Sequence, residues 1–159
     1  MATPRNLLLG TLVVLAAAMA GCSSAATAAP VVTPTPASAA SAAPTSGATV
    51  EARPVGSAGT VLVAGSNGMT VYVFGKDVAN SGTSACTGGC LTTWPALTVP
   101  AGSTPSGGSG VAGKLATITR TDDGTHQVTY KGLPLYFFHN DKAPGDANGV
   151  YTNWSAVKP

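Results

Sequence analysis

Charged residues are scarce in this chain of 159 residues: Asp, Glu, Lys and Arg together make up 9% of it, and its formal net charge is +2. No run of basic residues occurs, which argues against nucleic acid as a partner. The chain also lacks a phosphate-binding loop, a dinucleotide-binding glycine pattern and a Gly-x-Ser-x-Gly nucleophile turn. Because these signatures are missing, we expect neither enzymatic activity nor a bound cofactor.

Long apolar runs are also rare, and the longest lies at the N-terminus. Residues 7–20 follow Arg5 and are too few to span a bilayer as a helix, which is typical of an export signal. The Met-Ala-Gly-Cys sequence ending at Cys22 resembles the bacterial lipoprotein box, which implies cleavage before Cys22 and attachment of a diacylglycerol and an acyl chain such as palmitate. We therefore expect a signal peptide over residues 1–21 and a membrane anchor at Cys22, in the cell envelope outside the cytoplasm. Ordinary secretion, with Cys22 as a buried or reactive thiol, is the alternative.

Residues 22–54 are dominated by Ala, Ser, Thr, Pro, Gly and Val, with almost no charge and no aromatic side chain. Such small side chains bury too little apolar area to offset the entropy lost on ordering. We expect a lipid-anchored, disordered tether over this segment, partly extended by its prolines. Residues 55–159 then suffice for one small domain with its own core.

A ten-residue pattern occurs twice in this domain. Residues 68–77 (Gly-Met-Thr-Val-Tyr-Val-Phe-Gly-Lys-Asp) return as residues 132–141 (Gly-Leu-Pro-Leu-Tyr-Phe-Phe-His-Asn-Asp). Trp94 recurs as Trp154 at a slightly shorter interval, so the loop before Trp94 is the longer one. Such internal repetition indicates two related halves, which we place at about residues 58–99 and about residues 114–159.

The hydropathy pattern of the domain has the period of β-strands. Residues 60–64 and 70–74, separated by Gly-Ser-Asn-Gly-Met, predict a hairpin, and residues 127–130 and 135–138 predict its counterpart. No segment has a convincing helical pattern, and a lone hairpin is too small to be stable by itself. We therefore predict an all-β domain of two pseudo-symmetric antiparallel repeats, packed as a small sandwich or a partly closed barrel.

The aromatic and acidic residues of the repeated pattern are the candidate site. Tyr72 and Phe74 alternate onto one face of their strand, and we expect an aromatic core shared by both repeats. Asp77 and Asp141 follow the strands, where Asp commonly accepts backbone N–H groups in a turn. A hydrogen bond to a Tyr hydroxyl or to a Trp N–H, and a role in binding a ligand or a metal, are the alternatives. The repeat-motif residues are Tyr72, Phe74, Asp77, Trp94, Tyr136, Phe138, Asp141 and Trp154.

Two cysteines lie in the longer loop. Cys86 and Cys90 are expected to form a structural disulfide, because export places them in an oxidising compartment and the glycines between them make the chain adaptable. A redox-active pair is a weaker interpretation, since the spacing is not Cys-x-x-Cys. We predict no metal site. The weak candidates for a metal ligand are Asp77, Asp141, Asp146 and His139.

Taken together, these motifs resemble the bacterial secreted-repeat lipoproteins that carry Tyr-x-(Phe/Trp/Tyr)-x-x-Asp. The resemblance extends over nearly all of residues 60–157. The stretches that carry it are residues 72–77, 86–95, 120–141 and 144–146, and Trp154. The resemblance implies a lipid-anchored or secreted β-domain and assigns no reaction to it.

We therefore predict a non-enzymatic, lipid-anchored protein of the cell envelope, acting as a small binding or structural module whose ligand is unassigned. Its expected partner is the membrane, through the lipid on Cys22. The alternative is an extracytoplasmic metal-binding or redox accessory domain. That alternative needs several of the acidic, His and Cys side chains to converge on one point.

Overall fold

The computed structural model of the protein describes residues 47–159. The predicted signal peptide, the lipid anchor at Cys22 and most of the predicted tether lie outside the described residues. The described part of the chain is built from short strands, one turn of α-helix and a 3-10 turn at Gly56–Ala58. In chain order the elements are β1 Val50–Val55, β2 Gly59–Ala64, β3 Tyr72–Phe74, α1 Cys90–Thr93, β4 Thr98–Val99, β5 Leu115–Thr119, β6 His126–Tyr130, β7 Leu133–Pro134 and β8 Trp154–Ala156.

These strands form three small sheets, and all the strand pairs in them are antiparallel. One sheet consists of β1 and β2, a second of β3 and β8, and a third of β4, β6 and β5, with β7 also paired to β6. The predicted all-β fold with antiparallel sheets is thus confirmed. The strands between residues 47 and 159 do not close into a barrel.

The first strand was not predicted from the sequence, since the first strand expected there covers residues 60–64, within β2. β1 pairs with β2 along its whole length, from Val50 opposite Ala64 to Val55 opposite Gly59. Val50 is fully buried, and Glu51 is also buried. The prediction that the tether extends to residue 54 is therefore wrong for residues 50–54, because they provide core contacts that their composition does not suggest.

The outer edge of β1 is covered by the segment that links the two repeats. The N–H of Gly108 donates to the carbonyl of Val50 at 2.7 Å, and the N–H of Ala52 donates to the carbonyl of Ser109 at 2.9 Å. Val50 and Gly107 form a parallel bridge in the same place. The linking segment thus acts as a third strand beside β1.

Each repeat gives its last strand to the other repeat. β4 belongs to the first repeat but pairs with β6 of the second, and β8 belongs to the second repeat but pairs with β3 of the first. The backbone bonds of the two exchanges correspond: Gly75 N–H donates to Asn153 O, and His139 N–H donates to Thr93 O. Each half is therefore incomplete without a strand from the other.

The exchange is centred on the two repeated tyrosines. Tyr72 and Tyr136 lie opposite each other in an antiparallel bridge, and each N–H donates to the other's carbonyl, at 2.8 and 2.9 Å. This reciprocal contact places a pseudo-two-fold axis between them. The repeated glycines Gly68 and Gly132 precede these strands at φ +69° and +82°, a left-handed conformation that side chains with a Cβ rarely adopt.

The interior contains an aliphatic cluster and an aromatic cluster. The aliphatic cluster draws from both repeats and includes Leu62 and Val71 from the first and Val128 and Leu135 from the second. All four side chains are fully buried. Because the cluster crosses the boundary between repeats, burial of apolar surface joins them as well as the strand exchange does.

Candidate functional site: crossed Tyr–Asp pairs beside an aromatic stack

The tyrosine of each repeat is hydrogen-bonded to the aspartate of the other. The hydroxyl of Tyr72 donates to Asp141 Oδ2 at 2.6 Å, and the hydroxyl of Tyr136 donates to Asp77 Oδ2 at 2.7 Å. A hydrogen bond to a carboxylate is stronger than one between neutral groups. The two bonds therefore join the repeats at equivalent points on either side of the pseudo-two-fold axis.

Both aspartates are held in place by the turns that follow their strands. The N–H of Asp77 donates to Phe74 O and that of Asp141 donates to Phe138 O, at 3.0 and 3.1 Å. The remaining carboxylate oxygen of each residue accepts a backbone N–H: Asp77 from Ala85 at 2.7 Å, and Asp141 from Asn148 at 2.9 Å. Each aspartate thus has both the turn role and the tyrosine partner that the sequence offered as alternatives.

The tyrosine hydroxyls are poor candidates for acid–base chemistry. Burial raises the pKa of Tyr72 well above its ordinary value, and the hydrogen bond to Asp141 raises it further. Burial also raises the pKa of Tyr136; the contact with Ser84 opposes this shift and the hydrogen bond to Asp77 adds to it. Because both hydroxyls stay protonated at neutral pH, they act as hydrogen-bond donors and not as bases.

Each hydroxyl has a further neighbour that differs between the repeats. The Tyr72 hydroxyl accepts the N–H of Gly149 at 3.2 Å, and Ser84 Oγ lies 2.7 Å from the Tyr136 hydroxyl. A Cβ on Gly149 would lie 2.7 Å from the Tyr72 ring, so only glycine allows this close backbone approach. The backbone at Gly149 therefore packs directly against Tyr72.

The phenylalanines and tryptophans of the repeated pattern form a continuous stack, and successive rings in it come from different repeats. The Trp94 and Trp154 rings are parallel, with centroids 3.7 Å apart. Phe74 stacks on the outer face of this pair against Trp154 at 4.3 Å, and Phe138 packs against Trp94 at 4.5 Å. Each phenylalanine therefore contacts the tryptophan of the other repeat, and both tryptophans are buried.

The predicted disulfide between Cys86 and Cys90 is confirmed. Cys86 is fully buried beside the aromatic cluster, and α1 begins at Cys90. Ser84, next to the Tyr136 hydroxyl, and Ala85, whose N–H donates to Asp77, directly precede the disulfide-bonded Cys86. The disulfide thus restrains the segment that contacts one of the two crossed pairs, Tyr136 and Asp77.

Sequence reasoning missed a buried arginine next to this loop. The Arg120 guanidinium donates to the carbonyl of Cys86 at 2.7 Å and to Gln127 Oε1 at 2.6 Å, and it holds the Asp122 carboxylate through Nε and Nη2. These contacts connect the second repeat to the disulfide loop of the first. The hydrogen bond from Arg120 is the largest cause that lowers the pKa of Asp122. A usable signal was present, since arginine is rare in this chain and Arg120 precedes an Asp-Asp-Gly turn.

The weak metal candidates do not come together. Asp77 and Asp141 are engaged by the tyrosines, and Asp146 Oδ2 accepts the N–H groups of Lys142 and Ala143 at 2.7 and 2.9 Å. Among residues 47–159, no group of three or more His, Cys, Asp or Glu side chains is placed to hold a metal ion. The His139 ring lies on the surface, edge-on to Phe138.

The sequence profile of one protein family, described as a secreted repeat of unknown function, matches the chain at residues 55–98 and again at residues 116–158. The two matches cover more than half of the chain, so the chain belongs to this family. It is a secreted protein with two copies of the family repeat, and its biochemical function is unassigned. No curated protein and no solved structure matches the chain. Between residues 47 and 159, no helix has the length and hydropathy that crossing a bilayer requires.

Proposed function

We propose that this family member is a non-enzymatic, lipid-anchored protein of the bacterial cell envelope whose folded domain is a structural or binding module. The single observation that carries this proposal is the crossed pairing of Tyr72 with Asp141 and of Tyr136 with Asp77. These are the polar side chains that both repeats share, and all four are used to hold the repeats together. A site that performed chemistry would instead direct such groups toward a bound substrate.

The aromatic residues of the pattern support the same proposal. Trp94, Trp154 and Phe138 are almost fully buried, at 6%, 7% and 5% exposure. Their ring faces pack against each other and against Phe74. The repeated pattern therefore encodes a rigid interior, and any contact with a partner falls to surface residues outside it.

The anchor is supported by the sequence at the N-terminus. The apolar segment over residues 7–20 ends in Met-Ala-Gly before Cys22, as in bacterial lipoproteins. Export agrees with the family description and with the disulfide between Cys86 and Cys90, since disulfides persist outside the reducing cytoplasm. We propose that the tether between Cys22 and β1 keeps the domain clear of the membrane surface.

The anchor is tested by metabolic labelling with an alkyne analogue of palmitate, followed by separation of membranes from the medium. The unaltered chain should take up the label and sediment with the membranes. The Cys22→Ala variant should carry no label and should not sediment, whereas the Ser23→Ala control should behave like the unaltered chain. An unaltered chain that is unlabelled and free in the medium would refute lipid anchoring.

A further inference from the structure

The outer edge of β5 (Leu115–Thr119) is open. In its ladder with β6, the N–H of Lys131 donates to Lys114 O and the N–H of Arg120 donates to Thr125 O. In this hydrogen-bonding pattern, the backbone N–H and C=O groups of Ala116 and Ile118 point toward β6. Those of Leu115, Thr117 and Thr119 therefore point outward. Among residues 47–159, no strand pairs with this outer side.

The first repeat shows how the fold treats the equivalent edge. The β1–β2 hairpin occupies in the first repeat the place that the β5–β6 hairpin occupies in the second, because Leu62 and Val128 make matching bonds. Val71 N–H donates to Leu62 O, and Leu135 N–H donates to Val128 O. The outer edge of β1 is covered by the linking segment around Gly108, whereas no described segment covers β5.

β5 also lacks the features that usually prevent edge pairing. Proteins protect exposed edges with proline, charged side chains or bulges. The strand reads Leu-Ala-Thr-Ile-Thr, without charge or proline, and its pairing with β6 is regular along its whole length. Ala116, Thr117 and Thr119 are exposed. The edge is therefore able to accept another strand.

We propose that this edge pairs antiparallel with the same edge of a second copy of the chain. A two-fold axis through Thr117 places Thr117 opposite its own counterpart and Leu115 opposite Thr119 of the second copy. Every outward N–H then faces an outward carbonyl, as an isologous interface requires. β-Branched residues such as threonine also pair well across strands.

Charge complementarity favours a second copy as the occupant. In this register, Lys114 lies opposite Arg120 of the other copy, whose side chain is buried, and the exposed Asp122 and Asp123 follow in the turn next to it. Lys114 is exposed and makes no ion pair with any residue between 47 and 159. Arg120 pairs with both Asp122 and Asp123 but carries only one positive charge, so the turn keeps one net negative charge for Lys114 to meet. The two-fold axis repeats this contact on the other side.

A pair of five-residue strands buries less surface than the roughly 1,200 Å² of a stable interface, so the dimer is weak in solution. Confinement to a membrane surface raises the effective concentration of the domain and compensates for this weakness. In that respect the dimer rests on the proposed lipid anchor, while the pairing itself does not.

The test is cross-linking of Thr117→Cys. Residues directly opposite in a hydrogen-bonded antiparallel pair have Cα atoms about 5.5 Å apart, within the range that a disulfide spans. The full lipidated chain in native membranes would be oxidised with copper phenanthroline, and dimers would be followed on non-reducing gels. Thr98→Cys is the matched control, since Thr98 is an exposed threonine in the strand at the other end of the same sheet.

We expect Thr117→Cys to form dimers on the order of tenfold faster than Thr98→Cys. Adding Lys114→Glu should slow the reaction several-fold, because the substitution replaces attraction by repulsion. Equal rates for Thr117→Cys and Thr98→Cys would overturn the interface, and insensitivity to Lys114→Glu would overturn the register. The same comparison on a Cys22→Ala chain at millimolar concentration separates failure of the interface from failure of the anchor.

Discussion

The hydroxyl of Tyr72, in the first repeat, donates a 2.6 Å hydrogen bond to the carboxylate of Asp141, in the second repeat. The reciprocal bond runs from Tyr136 to Asp77. Neither pair lies within one repeat, although each repeat contains a tyrosine and an aspartate at the same spacing. The tyrosine and aspartate of the repeated pattern therefore join the two halves of the domain.

This relationship predicts that neither repeat folds alone. A fragment of residues 47–103 lacks β8, and a fragment of residues 104–159 lacks β4, so each loses the strand that completes its sheet. Each fragment should show no cooperative thermal transition by circular dichroism. An equimolar mixture should regain the β-sheet spectrum and form a 1:1 complex in native mass spectrometry. A cooperative transition in either fragment alone would contradict the exchange of strands.

Trp94 should be among the most costly residues to truncate. Its ring lies between Trp154 and Phe138 and is 6% exposed. Trp94→Ala should lower the free energy of unfolding by about 3–5 kcal/mol, measured by urea denaturation. The control is Val78→Ala, at a side chain that is 68% exposed, which should change stability by less than about 0.5 kcal/mol. Comparable losses in both variants would show that the stack is not a major source of stability.

The disulfide should contribute less than the stack. It closes a very short loop, for which the chain-entropy relation gives about 2 kcal/mol. Replacing Cys86 and Cys90 together by serine should therefore cost less than Trp94→Ala in the same urea experiment. The variant should also weaken the Tyr136–Asp77 pair more than the Tyr72–Asp141 pair, since only the former is supported from the disulfide loop. A loss larger than that of Trp94→Ala would require a different account of the loop.

Alkaline pH should destabilise the domain. The pKa values of Tyr72 and Tyr136 are raised in the folded state, so the two hydroxyls contribute fully to the free energy of unfolding below the unfolded tyrosine pKa of about 10. This contribution is lost as the pH rises from that value through the higher pKa values of the folded state, because the unfolded chain releases the protons first. Urea midpoints measured between pH 8 and about 11 should fall beyond pH 10. Tyr72→Phe should flatten this fall, whereas Tyr151→Phe, at a residue that is 56% exposed, should not.

Much of the fold was readable from local pattern. The alternation around Tyr72 and the Asn-Gly turn before it depend on neighbours in sequence, and they predicted β2, β3 and β6 correctly. The strand predicted at residues 135–138 is wrong in its bounds: β6 pairs with β7 at Leu133–Pro134, and Tyr136 forms only isolated bridges. The short helix at Cys90–Thr93 was missed, since a single turn shows no periodicity. β1 was missed as a whole because its burial depends on contacts with a distant linking segment.

The sequence predicted which residues form the candidate site, but it did not predict how they pair. The eight repeated residues identified themselves by recurrence, but recurrence is the same whether Tyr72 bonds to Asp77 or to Asp141. The choice between them depends on the exchange of β4 and β8, a non-local feature that no spacing encodes. Arg120 escaped notice for a similar reason, since its partners Cys86 and Gln127 meet only in the folded chain.

The crossed pairing is tested most directly by double-mutant cycles on unfolding free energy. Tyr72→Phe and Asp141→Asn should each cost about 1–3 kcal/mol, because each leaves a buried partner unsatisfied. Combined, they should show a coupling of about 1 kcal/mol or more, as expected for residues in direct contact. The matched control is Tyr72→Phe with Asp77→Asn, a pair within one repeat, whose effects should add. Coupling within the repeat and additivity between Tyr72 and Asp141 would contradict the account.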